Sequence, residues 1–300
     1  MPILTDDAGL IIDGTSQTAN QGDSNPSGPE IEINGLLIDE ISDPPIPVDA
    51  LKSGINIASS NNVIKGLVIN DFPLHGIALA KVFSTDVVSN TISGNYIGVD
   101  AECTRSTPNG FYGIYLGPGA QNNTIGGAVV EDRNIISGNG SAGVWIHGNA
   151  AELNVVIGNY IGTGRTAYGQ IPNGTHGVYI TGGAKNNTIG GSAEGQRNII
   201  SGNTIDGVRI YGSGTNGNVV IGNHIGTDKA GTGSLPNEEH GVQIMHGAQS
   251  NLIGGTSDGE RNIISGNLMS GVYITGTTTI ITNTMSNQVL GNYIGLSDTG

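Results

Sequence analysis

Apolar residues in this 300-residue chain come in short runs rich in Val, Ile and Thr, alternating with polar positions, and Gly, Asn and Pro separate the runs. Alternation of period two between turn residues is the pattern of β-strands, and no stretch at the helical period competes with it. The tetrapeptide Gly-aliphatic-x-aliphatic begins at Gly54, Gly76, Gly113, Gly143, Gly177, Gly207, Gly241 and Gly271, at steps of 22, 37, 30, 34, 30, 34 and 30 residues. Steps of 30 and 34 combine into a 64-residue period. Asn123, Asn187 and Asn251 open one motif that ends Ile-Gly-Gly, and Arg133, Arg197 and Arg261 open Asn-Ile-Ile-Ser-Gly-Asn. Self-similarity at fixed period is the mark of a repeat architecture.

Each step holds three short strands that reappear one step later in the same order. Like then lies over like if the chain winds as a coil, so the pattern predicts an all-β parallel solenoid with three strands per coil and a 64-residue two-coil repeat. The 22-residue step is about the minimum for three strands and three bends. Longer steps carry corner loops, between Gly-Gly and Arg-Asn in the 30-residue units (Ser192 to Gln196) and between Gly226 and His240 in the 34-residue units. About ten coils at ~4.8 Å each predict a rod of about 45 to 50 Å.

The words Asn-Asn-Thr-Ile-Gly-Gly, Arg-Asn-Ile-Ile-Ser-Gly-Asn and Gly-Asn-Tyr-Ile-Gly-Thr, with Ile12-Asp13-Gly14-Thr15-Ser16-Gln17, carry a resemblance across nearly the whole chain. It is similar to bacterial right-handed parallel β-helix repeat proteins, extracellular chains of the pectate-lyase-like solenoid superfamily. The resemblance implies a single right-handed parallel β-helix, a hand that the rarity of left-handed parallel crossovers supports. It leaves activity open, since this fold hosts lyases, hydrolases, epimerases, adhesins and rods.

One repeat frame leaves no room for a second core, so residues 1–300 read as one domain. Residues 1–53 form acidic, Pro-rich first coils or a cap, with ten acidic side chains and only Lys52 basic. Within them Gly9-Leu10-Ile11-Ile12-Asp13 and Gly35-Leu36-Leu37-Ile38-Asp39 match Gly66-Leu67-Val68-Ile69-Asn70, which predicts third strands of successive coils. Proline and acid there blunt an edge that would otherwise recruit another chain. Asp39, Glu40 and Asp43 offer oxygen ligands for calcium without a regular binding-loop spacing. Residues 54–275 are the regular coils. In residues 276–300 the frame slips by five residues around Thr277 to Thr284 and the last coil is unfinished, which predicts end-to-end self-association through an open carboxyl-terminal edge.

The composition, with 51 Gly and 12% charged residues, is that of corner-rich repeats. A net charge of −14 with 11 Lys plus Arg excludes nucleic acid as a partner. Cys103 is the lone cysteine, so neither an internal disulfide nor a cysteine metal cluster is available. No run reaches the ~18 apolar residues of a membrane span. The start at Met1-Pro2 lacks a signal-peptide pattern, and with the resemblance this predicts a segment of a longer exported protein, extracellular or at the cell surface.

Candidate chemistry lies where a column departs from its own consensus. The outward third residue of the first strand reads Asn56, Ala78, Tyr115, Trp145, Tyr179, Arg209, Gln243 and Tyr273. Tyr115, Trp145 and Tyr179, with Arg209 next and His147 and Tyr211 flanking, make an aromatic stripe. It suits pyranose faces, with Arg209 meeting a uronate carboxylate; the plainer reading is that Tyr and Trp favour strands and stack on one another. A second column, just before the glycines, reads His75, Tyr112, Ala142, His176, Asp206, His240 and Ser270. His176, Asp206, His240 and Arg209 hold the groups of a lyase or epimerase, a base and a carboxylate clamp. Asp206 with Glu239 is the nearby pair for a glycosidase. Two histidines and an aspartate are also zinc-type ligands, though the frame supplies a plainer hydrogen-bonded corner column. The repeated Asn139, Asn203 and Asn267, and Asn159, Asn223 and Asn292, read as bends on alternate coils, and the repeated arginines as corner braces. The reading that follows is a non-enzymatic structural or adhesive rod that grips polysaccharide along the stripe, with no cofactor or metal; the alternative is a polysaccharide lyase, epimerase or hydrolase.

Overall fold

The computed structural model describes residues 3–5, 8–17, 25, 28–36, 52–81, 86–276 and 283–296. The chain winds as a right-handed parallel β-helix. Each coil contributes one short strand to each of three parallel sheets, and among the described residues each of these sheets has nine strands. A representative coil runs Val178–Thr181 in the first sheet, Thr188–Ile189 in the second and Ile199–Ile200 in the third. Nine coils are described where the sequence predicts about ten; their eight steps span about 38 Å at ~4.8 Å each.

Val178 pairs with Val208, and Val208 with Val242, in one vertical file. The second and fourth residues of the tetrapeptide point inward and are fully buried there, as are Ile125, Val156, Ile189 and Val220 of the second sheet and Ile136, Ile161, Ile200 and Ile225 of the third. The core is thus a stack of flat aliphatic layers. The glycine that opens the tetrapeptide is required by this stacking. A Cβ at Gly177 would sit 2.5 Å from Ile200 Cγ2 and 2.7 Å from the Gly207 carbonyl of the next coil.

Three asparagine files hold the corners. Between first and second sheets run Asn62, Asn90, Asn123, Asn154, Asn187, Asn218, Asn251 and Asn287; each Nδ2 donates to Oδ1 of the next at 2.7–3.1 Å. A second file runs Asn95, Asn134, Asn159, Asn198, Asn223, Asn262, Asn292. A third runs Asn109, Asn139, Asn173, Asn203, Asn237, Asn267. The sequence places asparagine on alternate coils, whereas the structure fills every coil. Odd and even units carry the residue in different words, Arg-Asn-Ile-Ile and Gly-Asn-Tyr-Ile, that occupy the same corner. Arg133, Arg197 and Arg261 do brace corners, each donating Nε to a carbonyl of the next coil.

The corner loops fall where the spacing puts them. Those of the 30-residue units hold short 3-10 turns at Val130–Asp132 and Asp258–Glu260. Those of the 34-residue units fold into hairpins bridged at Thr163 to Gln170 and at Thr227 to Ser234, and an equivalent loop is bridged at Val99 to Ser106. These hairpins cover the outside of the third sheet, where Cys103 is buried and its thiol is pushed up to about 12 by that burial.

The first coil differs from expectation. Ile11–Asp13 pairs with Val63–Lys65 and so belongs to the second sheet, and the third strand is Ile31–Asn34, paired with Leu67–Asn70. Every strand shares the same apolar alternation, so a match of that alternation does not say which sheet a run joins. Leu37 to Asp39 and the candidate calcium ligands Asp39, Glu40 and Asp43 lie outside the described residues, as do Thr277 to Thr282. Beyond them Gln288–Leu290 and Tyr293–Ile294 resume pairing in register. No helix among the described residues is long and apolar enough to cross a membrane.

Candidate functional site

Because inward and outward positions alternate along each strand, one buried file of valines guarantees one outward file beside it. In the first sheet that file is Asn56, Ala78, Tyr115, Trp145, Tyr179, Arg209, Gln243, Tyr273, each paired with the next. His147 and Tyr211 lie in the adjoining outward file with Thr181 between them. The six residues expected to form the stripe are therefore contiguous.

The rings stack along the rod. Tyr115 lies 5.0 Å from Trp145 at 30°, and Trp145 lies 6.3 Å from Tyr179 at 17°. His147 stacks on Trp145 at 4.5 Å. The neighbouring column joins in: Tyr112 approaches Trp145 to 4.4 Å, and His75 lies 5.2 Å from Tyr112. At coil spacing these rings cover one another's faces, so the stripe presents edges to solvent where the sequence suggests flat faces. Burial lowers the imidazoles of His75, to about 4, and of His147, so both are neutral at neutral pH. Several buried polar atoms of this face, Asn56 Nδ2, His75 Nδ1, Trp145 Nε1, His147 Nδ1, Arg209 Nε and Gln243 Oε1, carry no hydrogen bond among the described residues. A bonding deficit concentrated on one face calls for an explanation beyond packing.

The polar column packs beside the stripe as a second ladder. Oδ1 of Asp206 accepts the His240 main-chain N–H at 3.1 Å, and Nδ1 of His240 accepts that of Ser270 at 3.2 Å. His240 is thus protonated at Nε2, with its ring stacked 4.5 Å from Tyr273. Nδ1 of His176 likewise accepts the Asp206 main-chain N–H, at 3.3 Å. Oδ2 of Asp206 lies 3.2 Å from the same nitrogen and makes no hydrogen bond among the described residues. Nε2 of His176 lies 3.3 Å from Nη1 of Arg209. Asp206 itself is fully buried.

Arg209 closes the arrangement. Its guanidinium lies 5.9 Å from the Tyr179 ring and 5.3 Å from that of Tyr211, and Nη2 donates to the Met245 sulfur, a weak acceptor. Among the described residues it makes no ion pair with a carboxylate. A half-exposed cation in the middle of an aromatic wall, on a chain of net charge −14, is the feature of this face best suited to an anionic group.

Asp206, Glu239 and His240 each bring a ligand-type atom within 4.8 Å of the others, while His176 stands outside that set. With Nδ1 of His240 occupied, a cation there would have to displace the proton on Nε2. Asp206 is also too deeply buried to touch a sugar as a glycosidase nucleophile, and its place is behind His176. The sequence groups His176, Asp206, His240 and Arg209 together, and the structure does place them on adjoining positions. It leaves unnoticed that Tyr112 belongs to the stripe, although Tyr112 stands in the column already singled out.

No protein-family model matches the chain, and no curated protein sequence does either. Among solved structures the periplasmic alginate epimerase AlgG superposes with a TM-score of 0.51 at 16% identity, over 80% of this chain and 48% of that one. A point mutant of AlgG gives 0.50 at 16% identity, over 79% and 48%. The A-module of the Azotobacter vinelandii mannuronan C-5 epimerase AlgE4 gives 0.44 at 16% identity, over 80% and 61%. The chain spans about half the length of AlgG, and at this identity the likeness is one of fold. Three in-register parallel sheets wound from one chain, with this superposition, identify the fold of the chain as a right-handed parallel β-helix.

Proposed function

We propose that this chain is an extracellular or cell-surface β-helix rod that binds an acidic polysaccharide along the outward face of its first sheet. The observation that carries the reading is Arg209, a guanidinium without a carboxylate partner among the described residues, set between Tyr179 and Tyr211 in line with Trp145 and Tyr115. The unbonded donors and acceptors of the same face are of the kind a polyhydroxyl chain supplies, once it draws these side chains out of their present contacts. That a solenoid of the same fold is an alginate epimerase is consistent with a uronate ligand. Trp145 is the only tryptophan, so its fluorescence reports on the centre of the stripe. Uronate oligomers are expected to shift it and neutral oligomers of equal length to shift it less, with Arg209→Ala removing the difference. No response to any glycan of such a panel overturns the reading.

A second reading has its own observation, the short contacts of His176: Nε2 lies 3.3 Å from Nη1 of Arg209 and Nδ1 lies 3.2 Å from Oδ2 of Asp206. A uronate that draws Arg209 to its carboxylate uncovers Nε2 of His176, and a proton moved to Nδ1 would then face Asp206. His176 is then placed as a base for the carbon beside the carboxylate, Arg209 steadies the charge that forms, and His240 is a proton donor. This is the chemistry of a lyase or epimerase. It predicts new unsaturated-uronate absorbance, or incorporation of solvent deuterium into the polymer, lost in Asp206→Asn. Neither signal in the wild-type protein leaves the binding rod alone.

A further inference from the structure

The corner between the second and third sheets is the one the first sheet does not share, and the two-coil repeat builds something there. Outward positions of the third sheet alternate as Tyr96, Ile135, Tyr160, Ile199. Two residues before each of these isoleucines stands a bracing arginine, Arg133 or Arg197, and the Arg133 guanidinium lies 4.2 Å over the Tyr160 ring. The hairpins folded over this sheet add a second cation at the same period: Arg165 and Lys229, 64 residues apart and both exposed.

Three clefts follow one another along this corner. The first, of about 410 Å³, holds Tyr96, Arg133 and Arg165. The second, of about 340 Å³, holds Arg133, Tyr160, Arg197 and Lys229. The third, of about 200 Å³, is walled by Arg197 and a run of glycine corners. Arg133 and Arg197 are shared walls, so the clefts join into one furrow along the rod. Its four cations face three carboxylates, Glu30, Glu131 and Glu194, and among the described residues none of the four makes an ion pair with a carboxylate. In a chain of net charge −14 this strip is cation-rich where the rest is acidic.

We propose that this furrow is a second polyanion site that takes a linear acidic polysaccharide, with carboxylates meeting the Arg133 and Arg165 pair and, two coils on, the Arg197 and Lys229 pair. Two coils are about 9.6 Å, a repeat that suits an extended polymer whose alternate sugars face the same side. Single-stranded nucleic acid fits poorly: Tyr160 is only 6% exposed beneath Arg133, so it offers no platform for a base. The site does not depend on the first-sheet face, which lies across the rod.

The test is calorimetric titration of Arg209→Ala, in which the first-sheet face has lost its cation, and of Arg209→Ala/Arg165→Ala/Lys229→Ala, with hexameric oligogalacturonate, a neutral hexasaccharide and a short single-stranded DNA. Arg165 and Lys229 are exposed and outside the ladders, and thermal melts check that the variants keep their fold. The expected result is an oligogalacturonate affinity in Arg209→Ala that falls with added salt and drops at least about tenfold in the triple variant, as the loss of two charge-assisted contacts implies. Unchanged affinity in the triple variant, equal binding of the neutral hexasaccharide, equal binding of the DNA, or no binding by Arg209→Ala each overturns the proposal.

Discussion

Single side chains in this protein matter in proportion to how many coils they touch. Asn187 accepts from both the main chain and the amide of Asn154, and donates to Asn218 and to the Ala151 carbonyl. Asn187→Ala therefore orphans the two buried donors of Asn154 on one neighbouring coil and removes the donor to the Asn218 amide oxygen on the other, and is expected to cost about 3 kcal/mol or more in urea unfolding. Asn287→Ala, at the last place of the same file, is expected to cost less; equal losses would show that the file acts otherwise than coil to coil. Ile180→Ala opens a cavity in a fully buried layer and is expected to cost about 2–5 kcal/mol. His75 makes stability depend on pH. Its folded pKa, lowered to about 4 by burial, lies below the ordinary value of 6.5, so the unfolded chain binds the proton first as pH falls. Stability is then lost between about pH 6.5 and pH 4, by about 3 kcal/mol at most. His75→Phe keeps the ring contacts with Tyr112 and Tyr115 and is expected to flatten that part of the profile, read from midpoints of chemical unfolding against pH.

At the scale of elements, the strands are too short to be stable alone. Many have two or three residues, and what fixes them is the pairing above and below. Gly177→Ala tests this directly, since the added methyl meets the Ile200 side chain of its own coil and the Gly207 carbonyl of the adjoining one. The expected outcome is a lowered thermal midpoint with hydrogen exchange rising first in the strands Val178–Thr181 and Val208–Tyr211. The assignment of sheets in the first coil shows the limit of element-level reading. Ile-Ile-Asp and Ile-Glu-Ile-Asn are equally good strands, and only pairing with Val63–Lys65 and Leu67–Asn70 tells one sheet from another.

For the whole molecule, stability is a sum of coil terms and coil-to-coil terms, so the ends are the weakest places. The two glycan faces proposed here lie on different sides of the rod, so Arg209→Ala and Arg165→Ala/Lys229→Ala are expected to act independently.

The amino-acid sequence by itself determined the coil, its three strands, the inward files and the register of the outward stripe. All of these follow from periodicity, and periodicity is a local property that survives without coordinates. Residues 30 or 34 apart become vertical neighbours once the chain winds, so Tyr115, Trp145, Tyr179 and Arg209 were legible as one file. Only the tertiary structure decided what those neighbours do to each other. Ring planes that cover one another, an asparagine on every coil, the contacts of His176 with Asp206 and Arg209, and the furrow joining Arg133 to Lys229 all depend on side-chain direction and on loops folding back over a sheet. Those are fixed by contacts among coils, and no single coil contains them.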